Sequence, residues 1–269
     1  IIAVGDRNQS IYGFRGADHN AIPNLIQALQ AKVLPLSITY RCPKAIVEKV
    51  KHLVPQIEAN PNAPQGLIRE VPSLEAAIQE MQPNDFVLCR CVAPIVSCCM
   101  KLLKAGKRAY VKGRDIGVAI SHFIDSFNPT DLNDLHDKMA MLIMDKVGYL
   151  MSKGKEEQAI ILQDKADTIY ALSEDIKTLS ELKAKIENLF ADDGRGSIMC
   201  STVHKVKGLE ANRVYILRPD LVPHPRAASE QAKQQEANLE YVAITRVKYD
   251  AKSEGELIYV KHNKIDEKP

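Results

Sequence analysis

Ser201-Thr202-Val203-His204-Lys205-Val206-Lys207-Gly208-Leu209-Glu210 is the stretch on which the fold turns. The run Ser197-Ile198-Met199-Cys200 leads into it, and Arg213-Val214-Tyr215-Ile216-Leu217 follows it. Both flanking runs read as strands. A strand, then a polar loop holding His, Lys, Gly and Glu, then another strand is a common way to build an α/β nucleotide site. The strand ends rigidly and the loop hangs its side chains over the carboxyl edge of the sheet.

Three further loops of similar chemistry surround it. Gly5-Asp6-Arg7-Asn8-Gln9-Ser10-Ile11-Tyr12-Gly13-Phe14-Arg15-Gly16-Ala17 follows an apolar opening, Ile1 to Val4, that reads as a strand. Its Tyr12, Phe14 and Arg15 could present rings to bases and a cation to phosphate, or the rings could tuck into the core. A helix through Asn24 to Ala31 and a strand over Val33 to Ile38 precede Thr39-Tyr40-Arg41-Cys42-Pro43. Pro43 suits the first turn of the next helix, which sets Tyr40 and Arg41 at a strand-to-helix junction. There they could stack on a purine and reach a phosphate, or serve as a helix cap and ion-pair partner. The last loop closes a helix from about Ser229 into Glu240-Tyr241-Val242-Ala243-Ile244-Thr245-Arg246-Val247-Lys248.

Between these loops the chain alternates. Pro55 to Gly66 reads as a proline-broken loop. Leu67 to Val71, Phe86 to Cys91 and Arg108 to Val111 read as strands; Ser73 to Met81 and Pro94 to Leu103 read as helices. That alternation implies a parallel sheet covered by helices. From Ile116 to Phe190 the pattern turns helical, with a stripe from Leu162 to Leu189 at three- and four-residue steps and a capping box at Thr178-x-x-Glu181. The stripe reads as the core of a helical insertion, with a coiled-coil face as the alternative. Glu256 to Val260 closes the fold as a strand.

Charged residues at 26% and hydrophobic residues at 45% of 269 describe an ordinary globular chain. A net charge of +2 gives no bulk argument for nucleic acid. No apolar run reaches the roughly 18–20 residues of a membrane span, so the expectation is a cytoplasmic protein with no membrane partner. The six cysteines show no zinc spacing and read as buried hydrophobes in a reducing compartment.

In order and spacing the four loops resemble the later motifs of the UvrD/Rep/PcrA-like superfamily 1 DNA helicases. Gly5 to Ala17 is similar to motif III (G-D-x-x-Q-S-I-Y-x-[WF]-R-G-A), and Leu36 to Cys42 to motif IV, ending N-Y-R-S. Ser201 to Glu210 is similar to motif V (T-x-H-x-x-K-G-L-E), and Glu240 to Val247 to motif VI (Y-V-A-x-T-R-A). Thr39, Cys42 and Val247 depart from the usual Asn, Ser and Ala, and Phe14 replaces the commoner Trp.

The resemblance implies an α/β fold: a RecA-like, P-loop-NTPase-type parallel sheet with helices on both faces, plus a helical insertion. Residues 1–31 would end a first RecA-like domain. The second would comprise residues 32–115 and 193–269, with 116–192 as a reduced accessory subdomain. Gln9, Arg41 and Arg246 would contact the γ-phosphate of ATP, as cations facing developing charge should. Tyr40 would stack on adenine, with Gly208 and Glu210 against the nucleotide. Tyr12, Phe14, Arg15, Thr202 and His204 would face single-stranded DNA. The implied activity is ATP-driven movement on single-stranded DNA, 3′ to 5′.

No G-x-x-x-x-G-K-[ST] and no strand ending in Asp-Glu occur in the chain. The expectation is therefore a piece of a longer protein, inactive alone, with the Mg²⁺ ligands and the rest of the first RecA-like domain upstream. The alternative is a non-catalytic nucleic-acid-binding or regulatory protein that keeps the fold.

Overall fold

In the computed structural model, which describes residues 2–13, 20–191, 194 and 196–261, the apolar runs pair into one seven-stranded sheet. Its strands are β3 (Leu67–Val71), β4 (Phe86–Cys89), β5 (Ala109–Lys112), β6 (Phe190–Ala191), β7 (Ile198–Thr202), β8 (Arg213–Leu217) and β9 (Glu256–Val260). The spatial order is β3-β9-β8-β4-β7-β5-β6, and every pairing is parallel. Two short strands, β1 (Ile38–Thr39) and β2 (Glu58–Ala59), pair separately.

Parallel strands joined by crossovers must bury both faces, and the strand residues show it by alternation. Val87, Cys89, Ile198, Cys200, Tyr215, Leu217, Ile258 and Val260 enter one core. Leu88, Met199, Val214, Ile216 and Leu257 enter the other. The first face is covered by α3 (Leu74–Glu80), α4 (Val92–Lys104), α5 (Arg114–Asp125), α6 (Leu132–Ser152), α7 (Glu156–Ser173) and α8 (Leu179–Leu189). The second is covered by α2 (Lys44–Val50) and α9 (Glu230–Ile244). The expected α/β sheet with helices on both faces is what the chain forms.

Several expectations need correction. Residues 2–6 form no strand, and neither does Val33 to Ser37: Leu36 is 91% exposed and only Ile38 and Thr39 pair, with Glu58 and Ala59. The proline-broken 55–66 segment is thus not all loop. Proline lacks the donor a ladder needs, and Pro35 interrupts the apolar run. The preceding helix, α1 (Ala21–Leu29), buries no residue. The helical stretch divides into four helices, and the stripe does not close on a core of its own. Its Ala166, Ile169, Leu172, Leu182, Ile186 and Leu189 are buried, and all but Ala166 join the same cluster as the sheet residues. Thr178 does end the stripe's first part: its hydroxyl accepts from Glu181 N at 3.2 Å.

Candidate functional site

Loop 203–212 leaves the carboxyl end of β7 and reaches the amino end of β8, running along the α9 side of the sheet. Its two ends gather different chemistry.

At the β8 end, Ala211 N donates to the Arg246 carbonyl at 3.0 Å and Lys248 N to the Ala211 carbonyl at 2.9 Å. These bonds set the end of α9 beside Gly208–Glu210. Tyr249 N donates to the Arg41 carbonyl at 3.1 Å and brings the 39–43 junction to the same place. Glu210 lies 3.7 Å from Arg41 Nε and 3.9 Å from Lys248 Nζ. Gly208 has a φ of +89°, a left-handed conformation that glycine takes at little cost, and a Cβ there would meet nothing within 4 Å. Arg41, Arg246, Gly208 and Glu210 are therefore brought together. They sit at the amino ends of β8 and β9, however, rather than over the carboxyl edge.

Arg246 is only 1% exposed. Its Nε donates to Val242 O at 2.8 Å, Nη1 to Leu209 O at 3.1 Å and Nη2 to Thr245 Oγ1 at 3.3 Å. Burial, with the Arg41 charge second, lowers its pKa to about 10, so it remains protonated at neutral pH. Arg41 Nε is buried without a hydrogen-bond acceptor. Tyr40 stands 72% exposed at the same junction.

At the β7 end, Tyr12 Oη donates to the His204 carbonyl at 2.6 Å, and the two rings lie 6.1 Å apart. Lys207 Nζ sits 5.7 Å from the Tyr12 ring centroid and donates to the Gln9 carbonyl at 2.8 Å. Lys205 pairs with Asp115 at the start of α5. Thr202 is buried as the last residue of β7, only 7% exposed, so it offers little surface to a strand of DNA. Phe14 and Arg15 lie outside the described residues.

Gln9 ends a 3-10 turn, Arg7–Gln9, capped by Asp6, whose carboxylate accepts from Asn8 N at 2.9 Å and Gln9 Nε2 at 2.8 Å. A cavity of about 290 Å³ is bordered by Asp6, Arg7, Gln9, Tyr12 and Lys207. A larger cavity, about 650 Å³, lies across the sheet between α7 and the ends of β8 and β9, and none of the expected site residues among the described ones lines it. The motif chemistry, not cavity size, marks the candidate site.

Sequence reasoning passed over Lys207, Lys248 and Asn238. The last two flank Arg246 in and beyond α9. Asn238, Val242 and Arg246 follow at four-residue steps, so a helical-face reading of the last motif would have exposed Asn238.

The model of the UvrD-like helicase C-terminal domain matches residues 102–253, more than half of the chain. The chain belongs to the UvrD-like helicase family. The model of the UvrD/REP helicase N-terminal domain matches residues 1–30. F-box DNA helicase protein 1 of Schizosaccharomyces pombe is 28% identical over 279 residues, covering 92% of this chain and 30% of that protein. The chain thus spans about a third of that relative. The C-terminal domain of a possible DNA helicase from Lactobacillus plantarum shares 10% identity at a TM-score of 0.38, covering 82% of this chain and 86% of that one. Among the described residues no helix is long and apolar enough to cross a membrane.

Proposed function

We propose that this chain is the C-terminal part of an ATP-dependent DNA helicase or translocase that moves on single-stranded DNA in the 3′ to 5′ direction. The observation that supports it best is the build of one loop. Its Gly208–Glu210 end meets Arg41, Arg246 and Lys248, while its other end, through His204 and Lys207, holds Tyr12 and Gln9. A change at either end therefore has a short covalent path to the other, as coupling of hydrolysis to a DNA step requires.

The residues fit a nucleoside triphosphate in charge. Arg41 and Lys248 face one carboxylate, Arg246 is bonded to the neighbouring Leu209 carbonyl, and the acceptor-less Nε of Arg41 is a donor that a phosphate oxygen would satisfy. Exposed Tyr40 beside it offers a ring for adenine. Among the described residues no group of three or more His, Cys, Asp or Glu side chains could hold a metal ion; in this reading the Mg²⁺ ligands lie in the first RecA-like domain. In this reading residues 1–31 end the first RecA-like domain, 32–115 and 193–269 form the second, and 116–192 are its helical insertion.

A non-catalytic reading draws on one observation: every nitrogen of Arg246 already donates to a protein acceptor. Single-strand-stimulated ATP hydrolysis by the full-length protein decides between the two. Arg246→Ala should cut that rate at least about a hundredfold and leave DNA affinity nearly unchanged. An unchanged rate in a folded variant removes Arg246 from the active site, and no stimulated hydrolysis in the wild type leaves the non-catalytic reading standing.

A further inference from the structure

Asn238 is a polar side chain only 2% exposed, in the middle of α9. Such a group must find partners, and the partners it finds are not on its own sheet. Its Nδ2 donates to the Arg7 carbonyl at 3.2 Å and to the Ser10 carbonyl at 2.9 Å. Its Oδ1 accepts from Gln234 Nε2 at 3.1 Å, which fixes the amide's orientation. The two carbonyls bracket Gln9, so both protons of one amide clamp the turn that carries it. The same helix ends at the Thr245 cap, and Arg246 follows directly, its Nε donating to Val242 O of the last helical turn at 2.8 Å. One helix therefore carries the clamp that holds the Gln9 turn and, at its end, leads into the buried guanidinium.

We infer that Asn238 is a positioning residue. It sets where the Gln9 amide stands relative to Arg41 and Arg246, and so joins the 6–13 segment to α9 in the hydrolysis-competent arrangement. The inference rests on the proposed ATPase reading and adds to it the element that registers one part of the site against another. Alanine removes both donors. Aspartate keeps the shape but sets a carboxylate against two carbonyl oxygens. A residue that only fills space would tolerate aspartate better than alanine; a clamp would not.

The test uses the full-length protein. Asn238→Ala should lower kcat of DNA-stimulated ATP hydrolysis about tenfold or more with KM for ATP little changed, because misplaced groups cost turnover rather than binding. Asn238→Asp should be at least as slow as Asn238→Ala, and Asn238→Ser, which keeps one donor, should recover part of the rate. The Asn238→Ala loss should also largely vanish in a Gln9→Ala background, since both changes act on the same group. An equal loss with Gln9 present or absent overturns the inference, as does wild-type kcat in a folded Asn238→Ala protein. If Asn238→Ala does not fold, the rates of the other two variants decide: Ser faster than Asp supports the clamp, and Asp equal to or faster than Ser overturns it. A Gln9→Ala protein with normal turnover is a separate outcome: it overturns the role proposed for Gln9 and the clamp with it.

Discussion

At the scale of single residues, burial sets the charge of groups lining the larger cavity. His224 is pushed down to about 4, first by burial and then by Arg90 and Arg226. Its neutral ring accepts Arg226 N at Nδ1, a bond that protonation would destroy. The sign follows from linkage: an imidazole with a depressed native pKa supports the fold fully above its ordinary value of 6.5, and that support is lost as pH falls through about 4. His224→Asn should therefore lose less stability than wild type on acidification from pH 6.5 to 4, measured by denaturant unfolding at each pH. Asp164 works in the opposite sense. Burial raises it to about 6, so its contribution is complete at low pH and is lost as pH rises through that value. The variant-minus-wild-type difference isolates the imidazole. Parallel pH curves would place His224 in an ordinary solvated setting.

At the scale of elements, the caps decide where helices start. Thr178 accepts from Glu181 N, while the Glu181 carboxylate reaches back to Lys177 N at 2.9 Å. Thr178→Ala should lower the unfolding free energy by about 1 kcal/mol, and Thr178→Ser should change it little; equal urea midpoints for all three proteins would deny the cap its role. That cap was legible because capping is local chemistry. So were β3, β8 and β9, whose apolar runs lie within the sheet. The 33–37 run was not legible as coil, because periodicity reports apolar residues but not whether a neighbouring strand exists to pair with them. Burial of Arg246 and Thr202 was equally hidden, since a motif names residue types and leaves out the packing around them. Asn238 escaped because the two carbonyls it clamps are more than two hundred residues away in sequence.

At the scale of the molecule, the helical layer and the sheet share one core. Ile169 and Leu172 of α7 and Leu182 of α8 pack in the cluster that holds Val87, Cys200 and Ile258. Polar contacts bind the layer as well. Arg90, just past β4, pairs with Glu236 of α9 and Glu157 of α7, both at 2.9 Å, with Arg90 and Glu236 deeply buried. The α6–α8 layer and the sheet should therefore unfold in one transition, with far-ultraviolet helix signal and near-ultraviolet tyrosine signal superimposing in urea. Leu172→Ala should shift both by about 2–5 kcal/mol. A helix signal lost ahead of the tyrosine signal would mean that the layer melts on its own.

All six cysteines are buried as free thiols, five of them in the two cores and Cys91 beside the larger cavity. Alkylating dyes and spin labels attack exposed thiolates, so the native side chains are poor targets while the fold is intact. A single cysteine placed at exposed Met144 or Tyr40 would then take up the probe selectively, with no need to strip the natural ones. Distances between α6 and the Arg41 junction could be followed by resonance energy transfer or pulsed electron resonance on a chain whose core is untouched.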